Sequence, residues 1–130
     1  NWRHRRLAVR ARTAEAVPFL DVESVRTRQA LTKPLSSVLA IYGAADLDVS
    51  VIRGGDRRIT RAVSLWAWVQ VNDDGTPRFG GIRYLSRLNT AWECWGIFDR
   101  VPTVELERRS IQRAMPELQE VANLYSLTVY

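Results

Sequence analysis

The sequence predicts an α+β fold, a mixed and mainly antiparallel sheet with flanking helices, and three segments carry that prediction. In GGDRRITRAVSLWAWVQVNDDG, Gly54 and Gly55 break the chain and Asp56 is placed to cap. Ile59, Ala62, Val63, Trp66 and Val69 then recur at helical spacing until Asn72, Asp73, Asp74 and Gly75 end the pattern. In GGIRYLSR, residues 80–87, side chains alternate as on a half-buried strand: Ile82, Tyr84 and Ser86 face one way, Arg83, Leu85 and Arg87 the other. AWECWGIF, residues 91–98, sets Trp92, Cys94, Gly96 and Phe98 against Glu93, Trp95 and Ile97, so the two segments are expected to pair as an antiparallel hairpin. The helix over 57–71 is expected to pack on this sheet through Ile59, Val63 and Trp66. Trp66 and Trp68 fall about 200° apart on it, so one belongs to the core and the other covers a neighbour or an interface.

The remaining elements follow in chain order. HRRLAVRART reads as the end of a helix, and VPFLDV, residues 17–22, as a strand interrupted only by Pro18. Asp21 and Ser24 start the next helix, SVRTRQALT. Pro34 and Gly43 bracket a poorly patterned stretch, and residues 35–53 are expected to give a short helix and then irregular chain. VELERRSIQRAM, residues 104–115, closed by Pro116, and ELQEVANL, residues 117–124, read as helices. YSLTVY, residues 125–130, has the β-branched and aromatic content of a closing strand.

At 130 residues, 46% hydrophobic and 25% charged, the chain is in the range of one domain able to bury a core, and residues 1–130 are read as such. Because it begins at Asn1 and not Met, it is expected to be a trimmed product or the remainder of a longer protein. It holds no apolar run long enough for a membrane span, and its opening residues lack the apolar segment of a signal peptide, so a reducing, cytoplasmic location is expected and a membrane partner is not. Cys94 is the single cysteine and His4 the single histidine, far apart in sequence; zinc and Cys–His catalysis are therefore disfavoured, and no metal site is expected.

Residues 1–33 hold eight basic side chains against three acidic ones, so the whole net charge of +5 sits there while the rest of the chain balances. Such a cluster can dock an acidic partner, but no interleaved aromatic platform accompanies it, and nucleic acid is not the expected partner. Five tryptophans in so small a domain point to an apolar patch covered by a second copy, hence a homo-oligomer.

The run from PFLDV, through a helix opening DRRITRAVSLWAW, into GGIRYLSRLNT and WGIFDRV resembles the C-terminal two-thirds of a RES domain, the family named for its Arg, Glu and Ser. The resemblance covers residues 15–101 and is most specific at GIRYLSR followed by IFDR. It implies an ADP-ribosyltransferase-like fold and a bacterial enzyme that consumes NAD, as a glycohydrolase or phosphorylase, in a toxin–antitoxin pair. NAD is then a substrate and no cofactor is held permanently; an antitoxin protein is the implied partner. Ser86 matches the family's serine and is the candidate catalytic residue, with Tyr84, Arg83 and Arg87 as candidate NAD-binding residues. The family's arginine and glutamate precede the LDV-like strand, and nothing before Val17 matches them. They lie upstream of Asn1 in a longer parent, or they are absent.

Cleaving the nicotinamide–ribose bond develops oxocarbenium character on the ribose, which calls for a carboxylate beside it. The pyrophosphate calls for a guanidinium. A serine at a strand end can hydrogen-bond the ribose or the amide and fix the reacting geometry, so Ser86 alone positions. No carboxylate near Ser86 in the matched motif is expected to face the ribose, and weak turnover or none is expected of this chain. The plain alternatives remain beside these readings. Ser86 can satisfy a hairpin end, Tyr84 can be a half-buried core residue, and Arg83 and Arg87, on the opposite face of a regular strand unless a bulge re-aims one, can face solvent or pair with Glu93. Two function classes follow: an impaired or truncated RES-type enzyme, or a non-catalytic, oligomeric interaction domain presenting an Arg-rich N-terminal face.

Overall fold

In the computed structural model, which describes residues 2–129, a 3-10 turn over Trp2–Arg5 leads into ten elements. They are β1 (Leu7–Thr13), β2 (Phe19–Asp21), α1 (Val25–Thr32), α2 (Ser36–Ile41), α3 (Val49–Arg53), α4 (Arg57–Val69), β3 (Gly81–Leu85), β4 (Glu93–Ile97), β5 (Thr103–Ser110) and α5 (Pro116–Leu124). The α+β class with mixed, mainly antiparallel pairing is observed: β2 runs parallel to β3, while β3–β4 and β1–β5 are antiparallel. The chain divides into two compact units, residues 15–101 and residues 1–14 with 102–130.

The 15–101 unit is a three-stranded sheet, order β2-β3-β4, whose parallel pair is linked by a crossover through four helices. Leu20 in β2 and Val22 just past it, Leu31, Leu39 and Ile52 from the first three helices, Leu35 and Leu47 between them, Ile59, Val63 and Ala67 from α4, and Ile82 from β3 form its buried core. Helix α4 uses the face that its spacing predicts, with Ala62 and Trp66 packed at the margin. Val69, at the end of that face, is exposed because the helix stops there. Asp56 caps α4 by accepting from Arg58 N at 2.9 Å, Ser24 caps α1 and Asp48 caps α3, so each of these helices starts on a side chain suited to the task. Residues 35–53 hold two short helices, α2 and α3, where the sequence pattern predicts one followed by irregular chain; the second is short enough that one cap and the single buried residue Ile52 define it. Trp68 packs edge-on against Phe98 at 5.2 Å, with the Arg100 guanidinium 4.2 Å from its ring centroid. The same guanidinium donates to the carbonyls of Trp68 and Phe79, satisfying the end of α4.

The second unit corrects three sequence expectations. Of HRRLAVRART, Leu7–Thr13 is strand β1, and VELERRS lies in strand β5, neither a helix; the strands pair from Leu7↔Ser110 to Thr13↔Thr103, with a bulge at Arg10/Ala11 that leaves Leu106 without a partner in the register. Val9 and Ala11 alternate with Arg10 and Arg12 at period two, as do Val104 and Leu106 with Glu105 and Glu107. Pairing across some ninety residues of sequence decides between that period and the helical one. Residues 126–129 form no strand: Leu127 N–H is spent on the Ala122 carbonyl at 2.8 Å, and Ser126 takes a positive φ of 51° as the chain leaves α5. Tyr130 lies outside the described residues.

Candidate functional site

Where β3 emerges from under α4, the 15–101 unit opens into a cleft of about 680 Å3. Its floor is apolar, built from Val22, Ile52, Val63, Ile82 and Phe98. Its rim is basic: Arg53 ends α3, Gly54 and Gly55 make the turn, Arg57 and Arg61 follow on α4, and Arg87 comes from beyond β3. Arg57 and Arg61 are one turn apart on α4 and so share one face of it. No Asp or Glu is among the lining residues.

Tyr84 and Arg87 of the GIRYLSR motif both line this cleft. Strict alternation would send them to opposite faces. β3, however, ends at Leu85, and Ser86 turns the chain: its N–H donates to the Trp92 carbonyl, and its Oγ accepts from Leu88 N at 3.2 Å. The period-two pattern therefore stops before Arg87, which is re-aimed until its Nη1 lies 3.9 Å from where a side chain on Gly55 would begin. Ser86 is not among the cleft-lining residues; its hydroxyl braces the turn that carries Arg87. Arg83 does not line the cleft either. It is held on the sheet between Asp21 at 3.1 Å and Glu93 at 3.2 Å, and its hydrogen bonds to Glu93 and Asp21 raise its pKa above the ordinary arginine value. The ion pair with Glu93 is the plainer of the two readings that the sequence offers for Arg83.

Two groups escape the sequence reading. Glu23, just past β2, has a side chain only 9% exposed; Oε2 lies 2.7 Å from Arg53 Nη2 and Oε1 accepts from Leu85 N at 2.9 Å. Burial pushes its carboxyl up, but the hydrogen bonds from Arg53 and Leu85 outweigh that and hold it below its ordinary value. The parallel β2–β3 pairing thus brings a carboxylate to the residue before Ser86, which local sequence does not show, and both of its oxygens are engaged. The second group is the pair Arg57 and Arg61, which join Arg87 of the motif; none of the three is ion-paired among the described residues. Asp56, the acid nearest to Arg57 in sequence, is taken by the Arg58 side chain and N–H, which hold its carboxyl down to about 2. The four-residue spacing of Arg57 and Arg61 within the α4 pattern is the signal in the sequence that points to this pair.

Such a cleft can bind an elongated anion: unpaired guanidinium groups on the rim for phosphates, an aromatic ring at Tyr84, and an apolar floor for a heterocycle. Among the described residues, no group of three or more His, Cys, Asp or Glu is placed to hold a metal ion, and no helix is long and apolar enough to cross a membrane. Comparison with protein-family models, curated proteins and solved structures finds no match to the chain.

Proposed function

We propose that the chain is an NAD-consuming protein of the RES type, a glycohydrolase or phosphorylase, with the α4–β3 cleft as its dinucleotide site. One observation carries the reading: Tyr84 and Arg87 of the GIRYLSR motif line the same cleft as Arg57 and Arg61, and no carboxylate lines it to neutralise them. In this reading the α+β unit is ADP-ribosyltransferase-like, the protein acts in the bacterial cytoplasm as the toxin of a pair, and an antitoxin protein restrains it. Arg57 and Arg87 hold the pyrophosphate, and Tyr84 stacks on a ring of the ligand. Ser86 fixes the turn that presents Arg87, a positioning role.

In the reaction the C–N bond between ribose and nicotinamide breaks and nicotinamide leaves neutral, keeping the bonding pair. An oxygen of water or phosphate then bonds to the ribose carbon and its proton passes to solvent. A carboxylate facing the ribose stabilises the positive charge in between. Glu23 is committed to Arg53 and Leu85, so it orders the site and does not supply that carboxylate. Weak turnover with retained binding follows.

The test is calorimetric titration of the chain with NAD and ADP-ribose, beside an assay of nicotinamide release. Binding with little release is expected. No binding of either ligand at millimolar concentration would remove the reading, and brisk release would show that a carboxylate of this chain does face the ribose.

A second reading, a non-catalytic and oligomeric interaction domain, draws on the other unit. Leu7, Val9, Val104 and Leu106 are exposed on its two-stranded ribbon, and an apolar groove of about 380 Å3 is lined by Trp2, Leu118, Val121 and Leu127. Light scattering that shows a monomer at high micromolar concentration would remove it.

A further inference from the structure

We propose that the cleft is built for a nicotinamide dinucleotide bearing a third phosphate, the 2′-phosphorylated form, with Arg61 and Ser64 holding the monoester; this rests on the dinucleotide reading of the site. The first argument is charge. Of the four lining arginines, Arg53 is neutralised by Glu23 at 2.7 Å, which leaves Arg57, Arg61 and Arg87 as three uncompensated cations. The bridging pyrophosphate carries two negative charges, and the oxidised nicotinamide ring brings a positive one of its own. Four positive charges would then surround two negative ones over an apolar floor, where like charges repel more strongly than in water. A phosphate monoester adds between one and two further negative charges at neutral pH, its second pKa being about 6, and brings the sum close to balance.

The second argument is placement. The donors fall into two groups along α4. Arg57 is the first residue of the helix, and Arg87 Nη1 lies beside Gly55 in the turn before it, so these two guanidinium groups attend the same end. Arg61 stands one turn further, about 6 Å along the axis, and Ser64 follows three residues later on the same face. Both line the cleft. The neighbouring Thr60 hydroxyl is already spent on the Arg57 carbonyl at 3.0 Å, whereas the Ser64 hydroxyl makes no hydrogen bond among the described residues. A guanidinium and an unspent hydroxyl, one turn away from the pyrophosphate group of donors, suit a separate monoester on the adenosine ribose.

Calorimetric titration of the whole chain with NAD and with NADP at low ionic strength tests this. NADP is expected to bind at least roughly tenfold tighter than NAD, as a charge-assisted, bidentate contact allows. R61Q is expected to lower the affinity for NADP more than that for NAD and bring the ratio close to one; S64A should lower it part of the way. Equal affinities in the wild type would overturn the inference and leave the dinucleotide reading standing. A preference for NADP that survives R61Q would overturn the assignment to Arg61. Failure of both ligands to bind would overturn the inference together with the reading on which it rests.

Discussion

The Arg53 guanidinium stands 2.7 Å from Glu23 Oε2 and ties the end of α3 to the turn after β2. Because the other carboxylate oxygen takes Leu85 N–H, a single nearly buried side chain joins three elements around the cleft. Glu23→Gln keeps the shape and removes the charge that makes both bonds strong. It is expected to destabilise the 15–101 unit by about 2 kcal/mol, the range for hydrogen bonds to a charged group. A denaturant midpoint unchanged in the variant would show that this junction contributes nothing.

The same pair sets a pH dependence. The folded-state pKa of Glu23 lies below the ordinary 4.5, because the hydrogen bonds from Arg53 and Leu85 overcome the effect of burial. A depressed carboxyl pKa stabilises the fold above the unfolded value, and that contribution is lost as pH falls through the folded one. The stability gap between wild type and Glu23→Gln is therefore expected to be constant from neutral pH down to about 5 and to narrow below 4.5. Urea melts at a series of pH values measure it, and a gap that widens on acidification would contradict the assignment.

At Gly81 the sheet leaves no room for a side chain. A Cβ there would collide with the Gly96 carbonyl oxygen across the β3–β4 pair and would stand 2.6 Å from Phe19 Cε1 on the other side. Backbone on one flank and a ring packed edge-on to Trp95 on the other leave little room to yield. Gly81→Ala is expected to cost about 3 kcal/mol or more, the range of overpacking in a core. Gly43→Ala meets no atom and strains only its positive φ of 71°, so it should cost clearly less. Equal thermal shifts for the two would refute the steric account.

Much of this sheet and its helix could be read from the chain itself, for identifiable reasons. Asp56, Ile59 and Val63 announce α4 by a cap and a 3.6-residue period, and Ile82 with Gly96 announce the hairpin by alternation, all local signals. The β1–β5 ribbon is not legible, because Val9 and Val104 fit either period and only their partners, some ninety residues or more away, choose between them. The site divides in the same way. Tyr84 could be read from its motif and the Arg57–Arg61 step from its spacing. Arg87 leaves the strand's alternation because the turn at Ser86 ends it early, which the period-two pattern alone does not show. Glu23 needed the parallel β2–β3 pairing, which no local pattern encodes.

Ser86 is bonded to Leu88 N through its Oγ and does not line the cleft, so in the proposed reaction it acts through the turn it braces. Ser86→Ala frees that N–H and loosens the residues that aim Arg87. Nicotinamide release, measured under single-turnover conditions with protein in excess, is expected to fall on the order of ten- to a hundredfold, as for a misplaced substrate. Stability is expected to change by less than about 1 kcal/mol. A large loss of stability would make the hydroxyl a structural bond alone, and an undiminished rate would remove it from the site.

Arg83 and Arg87 separate the two possible meanings of a basic residue in GIRYLSR. Arg83 lies between Asp21 and Glu93, so its charge is already compensated and its side chain serves the sheet. Arg87 is uncompensated and lines the cleft beside Tyr84. Arg87→Ala is expected to weaken NAD binding roughly tenfold, the scale of one lost charge-assisted contact, and to leave the melting temperature nearly unchanged. Arg83→Ala is expected to do the reverse, lowering the melting temperature while NAD affinity stays within about threefold, since it removes no ligand contact. Salt separates the two further: added chloride screens an exposed guanidinium, so if Arg87 meets a phosphate of the ligand, NAD affinity of the wild type should fall with ionic strength and that of Arg87→Ala should fall less steeply. If Arg83→Ala were the variant that lost NAD, the ligand would lie on the opposite face of the sheet and the α4–β3 cleft would not be its site.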